Sequence, residues 1–162
     1  MAVDVPARCT QLMEATVASA LDHVHKGGIP FSALVVDQDG IILGSGVNRV
    51  REHHDPTAHA EVEAIRDACR SHKTTRLAGM TLLASGEPCA MCYVSALHAG
   101  LAQVFYAVDR DEAATHGFDY RGTYGLFAQD PRSWRSPGGS LSQQACRRSW
   151  HSARAHRSGR RS

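Results

Sequence analysis

The stretch TAHAEVEAI, residues 57–65, has the pattern of an amphipathic helix, yet two of its first polar residues are not needed for helix packing. His59 and Glu61 lie two positions apart, so on a regular helix of about 3.6 residues per turn they point roughly 200° away from each other. An imidazole and a carboxylate in this arrangement reach one common point only if the end of the helix faces that point. The sequence therefore predicts a site at the N-terminus of this helix.

A second stretch, PCAMC at residues 88–92, places two more potential ligands at the start of another predicted helix. Cys89 and Cys92 are three positions apart, which puts both sulfurs on one face of a helix. A helix N-terminus favours negative charge and therefore the thiolate form that binds metal. Together with the imidazole of His59, the two thiolates form the N, S, S ligand set of a catalytic zinc ion whose fourth position is left to water.

Two other interpretations of these residues are open at the level of sequence. A closed structural zinc site needs a fourth ligand, and spacing leaves as candidates Cys9, Cys146, His53 and His98. Cys69 is excluded because it lies ten residues from His59 on the same predicted helix, about 15 Å away. Alternatively, Cys89 and Cys92 could form a thioredoxin-like redox pair, which would leave the pairing of His59 with Glu61 as a coincidence.

The hydrophobic pattern predicts an α/β domain in which a helix and a β-hairpin are followed by alternating helices and strands. Helices are predicted at 8–26, 57–71, 88–100 and 109–116, and strands at 31–37, 41–48, 80–85 and 102–108. Asp55 is the predicted N-cap of the second helix, Pro56 its first residue, and Gly100 the stop of the third. The last two strands are short apolar runs and are expected to be buried. From about residue 120 onward Gly, Pro and Ser reach loop density, and no element is predicted.

Composition indicates one ordinary globular domain. The 162 residues are 43% hydrophobic and 21% charged. No window approaches the roughly 18 apolar residues that a membrane span needs, and the N-terminus lacks a signal-peptide pattern. The five cysteines are an odd number without the spacing of a disulfide framework. We therefore expect a cytoplasmic protein without a membrane partner.

Charge divides the chain into an acidic body and a basic tail. Residues 147–162 contain six arginines and no acid, whereas residues 1–146 contain twelve Lys and Arg against sixteen Asp and Glu. Blocks of like charge mixed with Ser, Gly and His bury too little to offset chain entropy and are typically disordered, although contact with a nucleic acid or another acidic partner is the alternative. We predict a folded domain over 1–135 and an Arg-rich tail over 136–162 that is disordered or forms a lid.

The motifs HAE (59–61) and PCAMC (88–92) match the zinc deaminase signature H-x-E…P-C-x-x-C. On these motifs, the chain from about residue 8 to 120 resembles the cytidine deaminase-like superfamily, and the segments DPTAHAEVEAIRDAC, EPCAMC and VFYAVDRDEAATHGFDY are most similar to bacterial guanine deaminases. The resemblance implies a three-layer α/β/α fold with a mixed five-stranded sheet flanked by helices, and a Zn²⁺ cofactor. It also implies hydrolytic deamination, in which zinc hydroxide attacks the amine-bearing ring carbon and ammonia leaves.

The resemblance also implies roles for individual residues. The zinc ligands would be His59, Cys89 and Cys92. Glu61 would take the proton of the water and deliver it to the ring and then to the departing ammonia. Substrate contacts are implied for Asn48, Phe31, Ala60, Asp119 and His98. Three of these have a simpler explanation, since Phe31 is equally a core aromatic, Asn48 a turn residue and His98 a residue of a helix end.

The chain departs from guanine deaminases after the Gly-Phe-Asp motif at 117–119. At the next position these enzymes carry a second acid that reads the N1 and 2-amino edge of the purine, whereas this chain has Tyr120. A carboxylate is the expected acceptor for two N–H donors, so guanine recognition would require Asp119 to substitute. In the family an aromatic C-terminal segment closes over the site, and here Trp134 and Trp150 are the candidates, with neither assigned.

Several functions fit these features. The default is deamination of a purine base or nucleoside, with guanine to xanthine as the first choice. A tRNA-specific adenosine deaminase uses the same zinc chemistry but needs a basic surface to hold an RNA loop, and the acidic body disfavours nucleic acid as a partner. A tailoring deaminase for an unusual nucleoside or a cytosine-type base would explain the changed residues, and a binding protein without activity is the last alternative. The family also suggests a homodimer.

Overall fold

The computed structural model describes residues 5–133, 135–136 and 139–140 of the chain. The elements in chain order are α1 (Val5–His25), β1 (Ile29–Val36), β2 (Ile42–Asn48), α2 (Val50–His53), α3 (Ala60–Ser71), β3 (Thr81–Gly86), α4 (Ala90–Ala99), β4 (Gln103–Val108), α5 (Arg110–Thr115), β5 (Arg135–Ser136) and β6 (Gly139–Ser140). Two 3₁₀ helices, Arg121–Ala128 and Pro131–Ser133, lie between α5 and β5. The predicted order of helices and strands is confirmed through α5, and α2 is an addition in a segment between the second predicted strand and the second predicted helix.

The main sheet has four strands in the order β2-β1-β3-β4. β1 pairs antiparallel with β2 and β3, and β3 pairs parallel with β4, so the sheet is mixed as predicted. The expectation of five strands is wrong for the described residues, which contribute four strands to this sheet. The reason is local, because the Gly-rich segment after residue 120 lacks a run of β-branched and apolar residues and forms 3₁₀ helices and the separate pair β5–β6.

Helices cover both faces of the sheet, because successive side chains of a strand point to opposite faces. The residues of one face, which share a core cluster with α3 and α4, are Ala33, Val35 and Leu82. The residues of the other face, which pack against Cys9, Leu12 and Met13 of α1, are Leu34, Val36 and Leu83. The implied three-layer α/β/α arrangement is therefore present.

Two glycines of β2 allow α3 to lie very close to that strand. A Cβ atom on Gly44 would collide with the backbone nitrogen of Ala68, and a Cβ atom on Gly46 would collide with the carbonyl oxygen of Ala60. Backbone atoms cannot move aside as a flexible side chain can, so glycine is required at both positions. The contact at Gly46 fixes the distance between the sheet and the first residue of α3.

β4 is an edge strand, and its exposure contradicts the prediction that it is buried. Phe105 and Tyr106 are 44% and 42% exposed, and within the described residues β4 is paired on one side, by β3. Both aromatic rings line a groove of about 1340 Å³ between α1 and the sheet, together with Leu21 and Leu83. A short apolar run does not reveal whether a strand is central or at an edge, which is why the sequence could not predict this exposure.

The chain divides into two compact units, Met1–Gly125 and Leu126–Ser162. The first unit contains the four-stranded sheet and α1 to α5, and the second contains β5 and β6. Most of the predicted tail, 136–162, lies outside the described residues, as do Trp134 and Trp150. The predicted boundary at 135 therefore stays a prediction. Within the described part of the chain, none of the helices has the length and apolarity of a membrane span.

Candidate active site

Two helices begin at residues of the predicted metal site. His59 is the N-cap of α3 and Cys89 the N-cap of α4, both with extended backbone. The predicted helix start at residue 57 is wrong, because the carboxylate of Asp55 caps a local turn instead, accepting from the backbone nitrogen and hydroxyl of Thr57 at 2.8 and 2.7 Å. Since His59 precedes the first helical turn, regular helical spacing does not turn it away from Glu61.

The imidazole and the two thiols form what we call the ligand triangle, which consists of His59, Cys89 and Cys92. Nδ1 of the histidine lies 3.6 Å from Sγ of Cys89 and 3.5 Å from Sγ of Cys92, and the sulfurs are 3.5 Å apart. Tetrahedral Zn²⁺, with bonds of about 2.3 Å to sulfur and about 2.0 Å to nitrogen, would separate a sulfur from a nitrogen by about 3.5 Å and two sulfurs by about 3.8 Å. The donor set and its spacing therefore fit zinc.

The geometry bears on the alternative interpretations of these residues. Within the described residues, the ligand triangle is the only group of three or more His, Cys, Asp or Glu side chains placed to share a metal ion. Of the candidates for a fourth ligand, Cys9 packs between α1 and the sheet, His53 and His98 are exposed, and Cys146 lies outside the described residues. Both cysteines of the triangle are free, and their 3.5 Å separation is well above the about 2.05 Å of a disulfide.

The two thiols of the triangle differ in proton affinity. A hydrogen bond with the thiol of Cys92, reinforced by one from His59, lowers the pKa of Cys89 to about 4 although the residue is buried. The same hydrogen bond with Cys89, together with burial, raises the pKa of Cys92. The hydrogen bond between them therefore favours the thiolate at Cys89 and the thiol at Cys92. Zinc binds sulfur as thiolate, so the affinity for zinc depends on pH.

Glu61 lies beside the ligand triangle. Its Oε2 atom is 3.3 Å from Sγ of Cys92, and the residue is only 6% exposed. Burial raises the pKa of Glu61 above its ordinary value. A carboxyl group with a raised pKa next to a metal site can accept a proton and return it, as general acid–base catalysis requires.

Three predicted substrate residues are buried or packed against the core, and one of them, Ala60, adjoins the triangle in the chain. Ala60 is the first residue of α3 and is fully buried. Asn48 is buried at the end of β2, and its side-chain oxygen accepts from the backbone nitrogen of Val50 at 3.2 Å, which is the predicted turn role. Phe31 contacts the ring of Phe118 edge-on at 5.2 Å and packs against the core, which is its predicted structural role. These positions are compatible with substrate contact, which stays a prediction for all three.

The other two predicted substrate residues, Asp119 and His98, are exposed. The carboxylate of Asp119 is exposed and accepts from the guanidinium of Arg121 at 2.9 and 2.8 Å. Hydrogen bonding to Arg121 lowers the pKa of Asp119 to about 2. His98 is exposed in the last turn of α4, six residues beyond Cys92, which is about 9 Å along the helix axis. Their predicted roles gain no support from these positions.

Sequence reasoning missed the residues that surround Cys89. Tyr120 packs against the buried cluster of Val62, Cys89 and Cys92, and its hydroxyl donates to the carbonyl oxygen of Glu87 at 2.6 Å. The hydroxyl of Tyr124 donates to the carbonyl oxygen of Pro88 at 2.5 Å. The resemblance placed position 120 at the substrate edge but gave no role for its tyrosine behind Cys89. Tyr124 stands in a Gly-containing segment that is typical of a loop, and nothing in the sequence places it at the site.

A mixed α/β sheet that brings an imidazole, two thiols and a buried carboxylate to the starts of two helices defines the class of zinc-dependent nucleobase deaminases, which are hydrolases. Comparison with known proteins supports this class and narrows it. Residues 7–108 match the family model for the cytidine and deoxycytidylate deaminase zinc-binding region. The chain belongs to this family.

Two kinds of deaminase are among the proteins to which this chain is similar. The chain is 43% identical over 108 residues to a guanine deaminase of Bacillus subtilis (strain 168), a match that covers 66% of this chain and 69% of that protein. The X-ray structure of guanine deaminase from Bacillus subtilis superimposes with a TM-score of 0.79 at 33% identity, covering 92% of this chain and 93% of that one. A tRNA-specific adenosine deaminase of Aquifex aeolicus (strain VF5) is 41% identical over 86 residues, which span 52% of this chain and about half, 56%, of that protein.

Proposed function

We propose that this chain is a zinc-dependent hydrolase that removes an amino group from a purine base or nucleoside, with the conversion of guanine to xanthine as the first candidate reaction. The observation that carries the proposal is the buried carboxylate of Glu61, 3.3 Å from Sγ of Cys92 in a ligand triangle of the size that zinc requires. The similarity to guanine deaminases supports guanine as the first substrate to test.

In this proposal each residue of the site has a separate task. The ligand triangle would hold Zn²⁺, which would supply an activated water as the nucleophile for the amine-bearing ring carbon. Glu61 would accept one proton of that water and give it to a ring nitrogen. It would then carry the other proton of the water to the amino group, so that the oxygen stays on the ring carbon as a carbonyl and ammonia leaves. Its burial restricts access of bulk water to the carboxylate.

Three residues would orient the base. Ala60 is the first residue of α3, so its N–H has no partner within the helix and is available to a ring acceptor. Asn48 uses its side-chain oxygen within the protein, which leaves its NH₂ group to donate to the base. Phe31 would pack against the face of the ring. Asp119 and His98 stay the least supported of the predicted contacts because they are exposed.

The identity of the base depends on the residues at 119 and 120. Tyr120 directs its hydroxyl to Glu87, and the carboxylate of Asp119 is bonded to Arg121. Neither group therefore presents a free carboxylate to the N1 and 2-amino edge of guanine in the described structure. For this reason a purine base without a 2-amino group and a cytosine-type base belong in the same test.

The experiment is a screen of ammonia release by the zinc-loaded full-length protein. The panel contains guanine, adenine and cytosine, each as the free base and as the nucleoside, and Glu61→Gln serves as the control for contaminating activity. We expect release from at least one purine, with guanine first. Absence of ammonia from the whole panel, with zinc bound, would refute the proposed reaction.

A tRNA-specific adenosine deaminase is the second candidate. It is favoured by the similarity to the Aquifex aeolicus enzyme and by the six arginines of residues 147–162. Removal of those sixteen residues distinguishes the candidates, because RNA binding that relies on arginine contacts to phosphate should weaken and lose its salt dependence. Activity on a tRNA anticodon loop that disappears in the truncated protein would favour this candidate, and undiminished activity on a free base would favour the first.

Two further proposals concern the oligomeric state and the cellular location of the protein. We propose a homodimer and a cytoplasmic location, the first because the family suggests it and the second because the cysteines lack a disulfide framework. Light scattering on the purified protein tests the first, and fractionation of cells tests the second.

A further inference from the structure

Cys89, like His59, is a member of the ligand triangle that lies just outside a helix. Cys92 is inside α4, whereas Cys89 is the N-cap of that helix and its side chain makes no capping hydrogen bond. It follows a two-residue loop, Glu87 and Pro88, after the end of β3. An N-cap residue has non-helical backbone angles, so the position of its sulfur depends on whatever holds the adjoining loop.

Two tyrosines hold the backbone before Cys89. The hydroxyl of Tyr120 donates to the carbonyl oxygen of Glu87 at 2.6 Å, and the hydroxyl of Tyr124 donates to that of Pro88 at 2.5 Å. Loop carbonyls that a side chain bonds directly lose the freedom to rotate their peptide planes, and the second of these planes contains the nitrogen of Cys89. The tyrosines therefore restrict the approach of the chain to this ligand.

A threonine from the same segment holds the backbone after Cys89. The hydroxyl of Thr123 accepts from the backbone nitrogen of Ala90 at 3.3 Å, and it donates to the carbonyl oxygen of Tyr120 at 2.7 Å. The first N–H groups of a helix have no partner within the helix, so this oxygen supplies a partner for the first of them. We call residues 120–124 the brace, because they bond the chain on both sides of the ligand.

An ion pair ties the brace to the same loop by a second route. The carboxylate of Glu87 is 3% exposed and accepts from the backbone nitrogen of Arg110 at 2.9 Å and from its guanidinium. The guanidinium carbon of Arg110 in turn lies 4.1 Å from the centre of the Tyr124 ring, in a cation–π contact. The loop therefore holds the hydroxyl of Tyr124, and Arg110, which pairs with Glu87 of the loop, holds its ring.

We propose that Tyr120, Thr123 and Tyr124 are positioning residues of the zinc site, which hold the loop so that Cys89 completes the ligand triangle. The inference rests on the zinc site of the proposed function and not on the identity of the substrate. Groups that do not bind the metal themselves but orient its ligands typically change metal affinity by about 10–100-fold when they are removed. The three side chains would therefore determine how tightly zinc is held, while they act on it only through Cys89.

The test compares zinc affinities of full-length variants by competition with a chromogenic chelator. Tyr120→Phe, Tyr124→Phe and Thr123→Val each remove one hydroxyl and keep the shape of the side chain. We expect each to weaken zinc binding several-fold and the triple variant to weaken it about 10–100-fold. Thr123→Ser, which restores the hydroxyl, should recover the affinity of the original protein.

Matched controls remove the same groups elsewhere. Tyr106→Phe removes a phenol from β4, and Thr115→Val removes a hydroxyl that donates to the carbonyl of Glu112 at 2.7 Å in the same i−3 pattern as that of Thr123. Both controls should keep the original zinc affinity. Thermal unfolding of the zinc-free proteins is recorded in parallel, because a merely structural role would lower that stability and leave the zinc affinity of the folded protein unchanged.

The outcomes separate this inference from the proposed function. Equal zinc affinity of the original protein and the triple variant would overturn the positioning role and leave the zinc site intact. The positioning role is overturned equally if the variants lose stability without zinc but bind it normally. Failure of the original protein to bind zinc would overturn both the zinc site and the positioning role, and none of these measurements requires ammonia release.

Discussion

Glu61 and Glu87 are both buried near the ligand triangle, and their partners give them different properties. Glu87 pairs with the guanidinium of Arg110 and holds a loop. Glu61 faces the thiol of Cys92 instead, and burial raises its pKa. A carboxylate bound to a guanidinium is held ionised by charge-assisted hydrogen bonds, whereas one beside a thiol is able to exchange a proton. The proton-transfer role therefore falls to Glu61, although the two residues are of one type and similar burial.

Replacement of Glu61 by glutamine tests this assignment. Glu61→Gln keeps the size of the side chain and the three zinc ligands but cannot accept a proton, so we expect normal zinc content and a loss of turnover of about 10²–10⁴-fold or more. Metal analysis and ammonia release on the best substrate measure the two effects. Glu63→Gln, the same change two residues along α3, is the control. Turnover at the original level in Glu61→Gln would show that another group moves the proton.

Replacement of Cys89 by alanine removes one of the three zinc ligands. We expect Cys89→Ala to lose most of its zinc after dialysis, because the remaining imidazole and single thiolate hold the ion far less tightly. The control is Cys69→Ala, which removes a thiol that packs against the core on α3 without joining the triangle. A zinc-replete Cys89→Ala protein would show that the ligand set is misassigned.

At the scale of the helix and strand, the sequence predicted the order of elements well and their ends and surroundings less well. Hydrophobic periodicity located α1, α3 and α4, and the Gly100 stop is confirmed by its left-handed backbone. The start of α3 was misplaced because Asp55 and Pro56 have the chemistry of an N-cap and a first helical residue, yet the Asp55 carboxylate is used within a turn. Local chemistry cannot tell these two uses apart.

The residues of the candidate site that belong to a sequence motif were predictable. The residues that reach the site only through tertiary contacts were not. The metal-binding group of His59, Cys89 and Cys92 follows from residue type and spacing, and the structure brings these three together. The brace was not predictable, because its hydrogen bonds join residues 33 to 36 positions apart within a segment that lacks hydrophobic periodicity. The fifth strand was an expectation from the family that this segment does not fulfil in the described residues.

The close contact between β2 and α3 leads to a prediction at the same scale. Gly46→Ala would push a methyl group against the carbonyl of Ala60, so α3 must move away at its first turn, next to His59. Overpacking of this kind costs about 1–3 kcal/mol, and we also expect weaker zinc binding. Urea unfolding and chelator competition measure the two effects.

The control for this variant is Gly125→Ala. A Cβ atom at Gly125 meets no atom within 4 Å, so its effect on the free energy of unfolding should stay within about 0.5 kcal/mol. If Gly46→Ala is as stable as this control, the spacing of α3 from the sheet is not set by the glycine.

For the molecule as a whole, the ligand triangle joins the starts of two helices that come from separate parts of the sequence. His59 begins α3 and Cys89 begins α4, 30 residues later, so one ion would crosslink the starts of both helices. The exposed groove beside β4 lies elsewhere, since none of the residues of the triangle lines it. Zinc should therefore stabilise the domain globally, and not only the residues that it touches.

Removal of zinc is expected to lower the thermal stability of the whole protein. A ligand at 100 times its dissociation constant stabilises the folded state by about 2.7 kcal/mol, which corresponds to roughly 5–10 °C in Tm for a chain of this size. Differential scanning calorimetry with and without a chelator measures the shift. The stabilisation should shrink as the pH falls, because protons compete with zinc for the ligands. Cys89→Ala is the control and should show no response to the chelator.

The position of the brace in the chain has a consequence for biosynthesis. His59 and both cysteines leave the ribosome before the brace does, since Tyr120 bonds a residue 33 positions earlier. The brace is complete 32 residues after Cys92 (124 − 92), which at a translation speed of about 5–20 residues per second takes roughly 2–6 s. A nascent chain that binds a metal ion in this interval would do so before the brace holds the loop at Cys89. Retention of the metal would then be completed only when the tyrosines emerge and dock.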